Sequence, residues 1–403
     1  MSWKTVALGD ICEFTRGLTY SKIDEVEFSN NAVLRATNID LESNKLNLEE
    51  IRYINSSVKI NEDKKVKLND ILICTASGSK SHLGKVALIN EQLDMAFGGF
   101  MAVLRVKENI EAKFLFNYLT SDIFLNHISK LADGANINNL KFSQIQNLKI
   151  NLPPLATQQK IVAKLDAIFA EIDTATAAAE ANVNNAEALF QSYLNEVFSS
   201  NENLTKLKDC TQIKPPKSEI KNLKGNTSVS FMPMESLGIN DKFTISKQSK
   251  DLESVSGSYT YFTEGDVLLA KITPCFENGK LGIASNLVNG IGFGSSEYIV
   301  FRPNKIIDKE WLYYFLNRES FRVLGSQHMS GSVGHKRVTK EFIEETLIPL
   351  IPVAKQKEFV GKIDNLFLQS QILKSASKSK IRELTLLKQS ILQKAFSGEL
   401  VKD

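Results

Sequence analysis

Cysteine and histidine are scarce in this chain, four of each, and where the cysteines fall excludes more than their number does. Cys12, Cys74, Cys210 and Cys275 are scattered without a C-x-x-C pair. That argues against a zinc site or a disulfide framework and for buried reduced thiols. Long apolar runs are also missing: nothing approaches the roughly 18 uncharged apolar residues of a membrane helix. Met1-Ser2-Trp3-Lys4 lacks the apolar core of a signal peptide. A cytoplasmic protein without membrane contact is expected. Nucleotide loops are lacking as well. Gly78-Ser79-Lys80-Ser81-His82-Leu83-Gly84-Lys85-Val86 has one residue too many between its glycines for a phosphate loop, and Val86 where Ser or Thr must meet magnesium. Gly290-Ile291-Gly292-Phe293-Gly294 lacks the G-x-G-x-x-G spacing and suits a tight turn between strands.

What the chain does have is repetition. The run Pro154-Leu155-Ala156-Thr157-Gln158-Gln159-Lys160-Ile161-Val162 recurs 198 residues later as Pro352-Val353-Ala354-Lys355-Gln356-Lys357-Glu358-Phe359-Val360. Lys164/Lys362, Asp166/Asp364 and Phe169/Phe367 extend the match without a gap, and Gln191/Gln389 and Phe198/Phe396 keep the same offset. Two copies make no solenoid. They describe a molecule of two similar halves, and 403 residues with 43% hydrophobic and 24% charged side chains suit two or three soluble domains.

The repeated segment reads as a long helix. Apolar or small residues fall at Ile161, Leu165, Ile168, Ile172, Ala175, Ala179, Val183, Ala186, Phe190, Tyr193 and Val197, alternating steps of four and three with one stutter from Ala179 to Val183. The second copy runs Phe359, Ile363, Leu366, Ser370, Leu373, Ser377, Ile381, Leu384, Leu387 or Lys388, Ile391 and Ala395, with its stutter at the equivalent place. Residues 151–203 carry 2 basic and 7 acidic side chains, and 351–403 carry 10 and 5. Opposite charge and matched stutters select antiparallel pairing of the two helices over self-pairing. The alternative is two amphipathic helices, each packed on its own domain.

The intervening blocks repeat more faintly. Leu68-Asn69-Asp70-Ile71-Leu72-Ile73 answers Glu264-Gly265-Asp266-Val267-Leu268-Leu269, Gly84-Lys85 answers Gly279-Lys280, and Phe97-Gly98 answers Phe293-Gly294. Short β-branched and aromatic strands with an amphipathic helix near 111–128 or 308–323 indicate α+β domains.

The P-P-L-A-x-Q-x-x-I-V-x-K-L-D pattern, the N-D-I-L-I phrase ahead of a Ser/Gly loop, and Leu387 to Val401 (L-K-Q-S-I-L-Q-K-A-F-S-G-E-L-V) resemble the specificity subunits of type I restriction-modification enzymes over essentially the whole chain. The resemblance implies a fold of two target-recognition domains of mixed α/β structure separated by a pair of long antiparallel coiled-coil helices, an internal repeat with pseudo-twofold symmetry. The expected boundaries are 1–152 and 204–351 for the recognition domains, with 153–203 and 352–403 for the helices. Recognition-domain sequence begins at about Trp3, so no leading helix is expected. Each domain is implied to read one half of a bipartite site in double-stranded DNA. The helices are implied to dock two modification (methyltransferase) subunits, with Gln158, Lys164, Gln191, Gln356, Lys362 and Gln389 as partner-binding candidates. Restriction (motor and nuclease) subunits complete the complex. S-adenosylmethionine, ATP and magnesium are expected in those partners and no cofactor in this chain, which is expected to be non-catalytic. Asn151-Leu152-Pro153-Pro154-Leu155 is consistent with that, since it lacks the amide beside the prolines and the stacking aromatic of an amino-methyltransferase loop.

Hydrogen-bonding loops beside positive charge supply the DNA-binding candidates: Arg16, Tyr20, Lys22, Arg35, Ser77, Ser79, Lys80, His82, Asn136 and Asn138 in the first block, and Lys271, Asn278, Lys280, His328, His335, Lys336 and Arg337 in the second. Arg and Lys match guanine O6 and N7, Asn matches adenine, and Ser or backbone amides hold phosphates. A scaffold without DNA contact, or a DNA-binding protein outside restriction, are the competing readings. The scaffold leaves two loop-rich domains unexplained, and no helix-turn-helix is evident for an ordinary transcription factor. If the helices act as a ruler, four residues inserted into Ala175-Thr176-Ala177-Ala178-Ala179, a rise of roughly 6 Å, lengthen the unspecified spacer or abolish activity and leave both half-sites unchanged. Sequencing of methylated sites checks this; altered half-sites with an unaltered spacer would refute the ruler.

Overall fold

The computed structural model describes residues 3–79, 82–133, 139–199, 203–332 and 334–401. The chain divides into two compact units: Met1–Ala179 with Ser379–Asp403, and Glu180–Lys378. Each takes part of both long helices, Leu155–Val197 and Val353–Phe396.

In the first unit an antiparallel sheet runs Cys12–Arg16, Met101–Val106, Ile71–Cys74, Val86–Leu88 in spatial order, with Ile71 opposite Leu104. Ile71–Cys74 is buried on both faces, which is why it reads as an unbroken apolar run. A second sheet orders Glu25–Val26, Arg52–Ile54, Asn31–Leu34, Ala96–Phe97, its last pair parallel. The ends of the block close on each other as an antiparallel ribbon, Lys4 opposite Leu152, just before the long helix begins.

The second unit repeats the plan. Thr211–Ile213, Tyr298–Pro303, Val267–Ala270, Leu281–Ser285 and Phe243–Ile245 form one sheet, and Gln248–Asp251, Ser228–Met232, Ile291–Gly294 and Thr260–Thr263 the other. Leu204–Lys206 pairs with Leu347–Pro349 as the closing ribbon.

The repeated Asp phrase is a fixed point of this frame. Asn69 and Gly265 sit at positive φ, 68° and 84°, where only residues tolerant of the left-handed region fit. The aspartate that follows is buried. Asp70 accepts the Lys67 amide at 2.8 Å and the Arg105 guanidinium at 2.8 and 2.7 Å; Asp266 accepts the Thr263 amide at 2.8 Å and Arg302 at 2.9 and 2.8 Å. Such bidentate, charge-assisted pairs are the strong members of their class. They hold the Arg105 and Arg302 guanidiniums above their ordinary range.

Within each unit the long helices run antiparallel. In the first, Lys164 donates to the Leu400 carbonyl at 2.8 Å while Asp173, farther along, meets Lys388 at 3.4 Å. In the second, Glu187 pairs with Lys374, Ser370 donates to the Ala186 carbonyl at 3.2 Å, and the Phe190 and Phe367 rings lie 5.2 Å apart. The expected attraction of an acidic helix for a basic one is met by particular pairs. One seam position departs from the expectation, and one open choice is settled. Leu373 is 45% exposed and Lys374 turns inward in its place, and the choice between Leu387 and Lys388 falls to Lys388, the leucine being 46% exposed. A lysine stem can cover apolar surface while its ammonium reaches an acceptor. The heptad pattern records polarity and misses that option.

The ends of the helices complete the domain cores. Phe396 packs on Phe114 and Tyr118, both at 5.3 Å, and Phe198 on Trp311 at 4.2 Å and Phe315 at 5.6 Å. Phe396→Ala should therefore cost about 3–5 kcal/mol in the first unit alone. Urea unfolding of single-tryptophan forms, retaining Trp3 in one unit or Trp311 in the other, checks this. An equal shift at Trp311 would contradict it.

Candidate nucleic-acid interface

The glutamines of the long helices explain how each domain is mounted. Gln158 accepts the Glu111 amide at 2.9 Å and donates to the Pro153 carbonyl at 2.9 Å. Gln356 accepts the Asp308 amide at 2.7 Å and donates to Ile351 and Ile306 at 2.7 and 2.9 Å. Glu111 and Asp308 are the N-caps of Ala112–Leu119 and Lys309–Asn317. Likewise Gln389 accepts the Asp122 amide and Gln191 the Glu319 amide, each at 3.1 Å, at the first residues of Asp122–Asp133 and Glu319–Gln327. Helix N-termini leave such amides without intrahelical partners. The partner-binding role expected for Gln158 and Gln356 is therefore corrected: they are 1% and 0% exposed and bracket the chain to itself. Gln191 and Gln389 make the same kind of internal bracket. Lys164 and Lys362 are exposed, the first tied to the Leu400 carbonyl and the second to Glu358 at 2.9 Å.

The first unit carries a cleft of about 690 Å³ that gathers Tyr20, Lys22, Arg35 and Ser77 from the expected set and adds Arg52 and Phe100. Its floor is fixed by close backbone approach. Leu18 donates to the Phe97 carbonyl at 2.7 Å, and a Cβ on Gly17 would stand 2.0 Å from the Gly98 oxygen. Three cations, Lys22, Arg35 and Arg52, face one carboxylate, Glu25, which Arg52 meets at 3.3 Å. Arg35 Nε is buried without a hydrogen-bond partner. Burial first, and Glu25 second, push the Tyr20 phenol up, keeping it a neutral donor.

Arg16 lies elsewhere, its guanidinium over the Phe142 ring at 5.5 Å. Ser79 donates its amide to Ser77 Oγ at 3.2 Å, and His82 its amide to the Ser79 carbonyl at 3.1 Å. Lys80, Asn136 and Asn138 lie outside the described residues. Arg52 gave no sequence signal, being one cation on an ordinary strand. Phe100 gave one that was passed over, an aromatic directly after Gly98-Gly99.

In the second unit the hairpin Met329–Ser330 and Arg337–Val338 carries the loop expected at DNA. Gly331 and Gly334 have φ of 125° and 83°, the loop's two left-handed turns. His335 and Lys336 are exposed on it. Arg337 is less free than expected. Its Nε and Nη2 reach Glu297 at 2.9 and 2.8 Å and its Nη1 the His335 carbonyl at 3.0 Å. That pairing holds the Glu297 carboxyl below its ordinary range. Lys271 donates to the Ser296 carbonyl at 3.0 Å beside the same carboxylate. His328 stacks on Phe342, ring centroids 4.9 Å apart, with Nδ1 2.9 Å from the Leu324 carbonyl. Asn278 is exposed on the turn before Gly279. Lys280 donates to the Met234 carbonyl at 2.8 Å, as Lys85 does to the Ile39 carbonyl at 3.0 Å.

A frame built twice, with unlike loops on the same edge, defines a protein of paired binding domains. The family described as type I restriction modification DNA specificity domain matches residues 1–184 and 197–383, and the chain belongs to that family. It is 26% identical over 420 residues to the type I restriction enzyme EcoKI specificity subunit of Escherichia coli (strain K12), covering 99% of this chain and 89% of that one. It is 25% identical to the StySPI specificity subunit of Salmonella potsdam over 426 residues, with the same coverage of each. The fold matches a structure described under complex assembly and conformational transition of the type I R-M system, with a TM-score of 0.74 at 23% identity over 99% of this chain and 98% of that one. It also matches the HsdS subunit from Thermoanaerobacter tengcongensis, with a TM-score of 0.57 at 22% identity over 99% and 97%.

Arg35→Ala should weaken binding of cognate duplex by about 1–3 kcal/mol if the guanidinium meets a base edge. If it meets phosphate, affinity falls evenly across sequences and the salt slope flattens by about one. Titrations of duplexes altered in one half-site, at several salt concentrations, separate the two. Unchanged affinity would remove Arg35 from the interface.

Proposed function

We propose that this chain is the DNA-reading subunit of a type I restriction-modification complex, each unit reading one half of a bipartite site. The observation that carries this is the doubled frame with divergent edges. The Asp70–Arg105 and Asp266–Arg302 pairs, the Lys85 and Lys280 ties and the glutamine brackets repeat, whereas the side chains at the edge differ in kind, Tyr20, Arg35 and Phe100 on one side and Lys271, Glu297 and Arg337 on the other. A shared frame with unlike edges is what one docking geometry needs to read two sequences, since backbone contacts position a domain and base contacts specify.

In this reading the long helices hold the two half-site readers and offer their exposed faces to two modification subunits, and restriction subunits join that assembly. S-adenosylmethionine, ATP and magnesium act in those chains, and none is held here. The scaffold alternative gives no role to a cationic cleft containing an unpartnered Arg35 Nε.

The purified chain is expected neither to methylate nor to cut DNA. Together with its modification subunits and S-adenosylmethionine it should methylate adenines in a two-part motif with an unspecified spacer, read by sequencing methylated bases in a host otherwise free of adenine methylation. Methyl transfer by the isolated chain, or a single uninterrupted motif, would overturn the assignment.

A further inference from the structure

The two units can be compared residue by residue at the edge where their loops diverge. Cys74 lies opposite Met101 in one sheet, and Ala270 opposite Tyr298 in the other. One residue onward the chains keep the same bonds. Thr75 donates to the Phe100 carbonyl at 2.9 Å and Lys271 to the Glu297 carbonyl at 3.0 Å. Thr75 accepts the Leu140 amide at 2.7 Å, and Lys271 accepts the Val338 amide at 2.9 Å. Ala76 bridges Asn139, and Ile272 bridges Arg337. Phe100 and Glu297 therefore occupy the same backbone position, fixed through carbonyls that do not depend on the side chain.

Their side chains differ in kind. Phe100 is 71% exposed and lines the cleft together with Lys22, Arg35 and Arg52. Glu297 gathers Arg337 in a bidentate fork and lies beside Lys271. The neighbours follow suit: the amides of Thr75 and Ala76 meet the Phe100 carbonyl, whereas the charged side chains of Lys271 and Arg337 lie beside Glu297.

Resting on the reading proposed above, we infer that this backbone position determines half-site specificity: Phe100 meets a thymine methyl group in one half-site, and Glu297 aims Arg337 at guanine O6 and N7 in the other. Apolar contact with the thymine methyl and bidentate Arg contact with guanine are the major-groove pairings that these two side chains can make. A guanidinium already held in its plane loses little freedom on meeting a base. The Phe100 ring contributes nothing to the core, so its removal leaves the frame intact.

The test uses the chain assembled with its modification subunits and S-adenosylmethionine, on duplexes carrying the methylated motif. Deoxyuridine replaces each thymine in turn, removing one methyl group, and 7-deazaguanine replaces each guanine, removing N7. The wild-type complex should lose roughly four-fold in methylation rate, the worth of one buried methyl group, at one thymine in one half-site. Phe100→Ala should be slower on the parent duplex and indifferent to deoxyuridine there. Glu297→Gln should reduce the penalty for 7-deazaguanine at one guanine of the other half-site, with the thymine response unchanged. If Phe100→Ala keeps the wild-type deoxyuridine profile, or if either variant alters both half-sites, the inference is wrong while the bipartite reading stands. A wild-type complex that methylates without any two-part motif overturns both.

Discussion

Four glutamine side chains hold the domains to the long helices, and the candidate interface depends on them. Each amide satisfies a backbone N–H at the start of a domain helix, and Gln158 and Gln356 also donate to a carbonyl at the foot of their own helix. A primary amide suits the place because it accepts and donates at once without bringing charge into a buried site. Glu would leave the Pro153 or Ile351 carbonyl facing a carboxylate, and Leu would leave both backbone groups unpaired, at about 1–3 kcal/mol each. Mounted this way, the sheet edges that carry Thr75 and Lys271 are fixed relative to the helices within their own unit.

Charge supplements this mounting. Asp166 meets Lys113 at 2.8 Å, and its repeat partner Asp364 meets Lys242 at 2.5 Å and also accepts the Tyr314 hydroxyl. The first pair is half exposed and screened, worth little by itself. The second is more enclosed, and Tyr314 is pushed far up, by burial first and by Asp364 second. The same aspartate in the repeat thus serves two different local networks, one reason the two domains tolerate unlike sequences around a common frame.

Much of this was legible in the sequence, and the limits are physical. A repeat of apolar spacing states which helix face is inward, and opposite charge on two such helices states that they pair, so the long antiparallel helices and the two α+β blocks could be read directly. Polar side chains were harder. A glutamine in a helix reads the same whether it faces water or caps a segment 47 residues away, as Gln158 does for Glu111. Arg337 reads as a free cation until Glu297, 40 residues earlier, is found beside it. The inward lysine at 374 broke the seam pattern because its acceptor, Glu187, lies on another helix. Candidates bundled by one loop or neighbouring loops came together in the fold, as in the cleft of Tyr20, Lys22, Arg35 and Ser77, whereas one that stood alone, such as Arg16, lies apart from it.

The first unit is built from both ends of the chain, its core closed by Leu392, Ala395 and Phe396 against Phe114, Ile161 and Leu165. During synthesis that core stays open while the ribosome adds about 200 residues between Ala179 and Ser379, a wait of roughly 10–40 s at ordinary elongation rates. The second unit, continuous from Glu180 to Lys378, has all its residues available earlier, so the domain translated first is the last able to close. A chain that stops before Leu392 lacks residues that close the first core and keeps every residue of the second unit, so the cost of a lost C-terminus falls on the N-terminal domain.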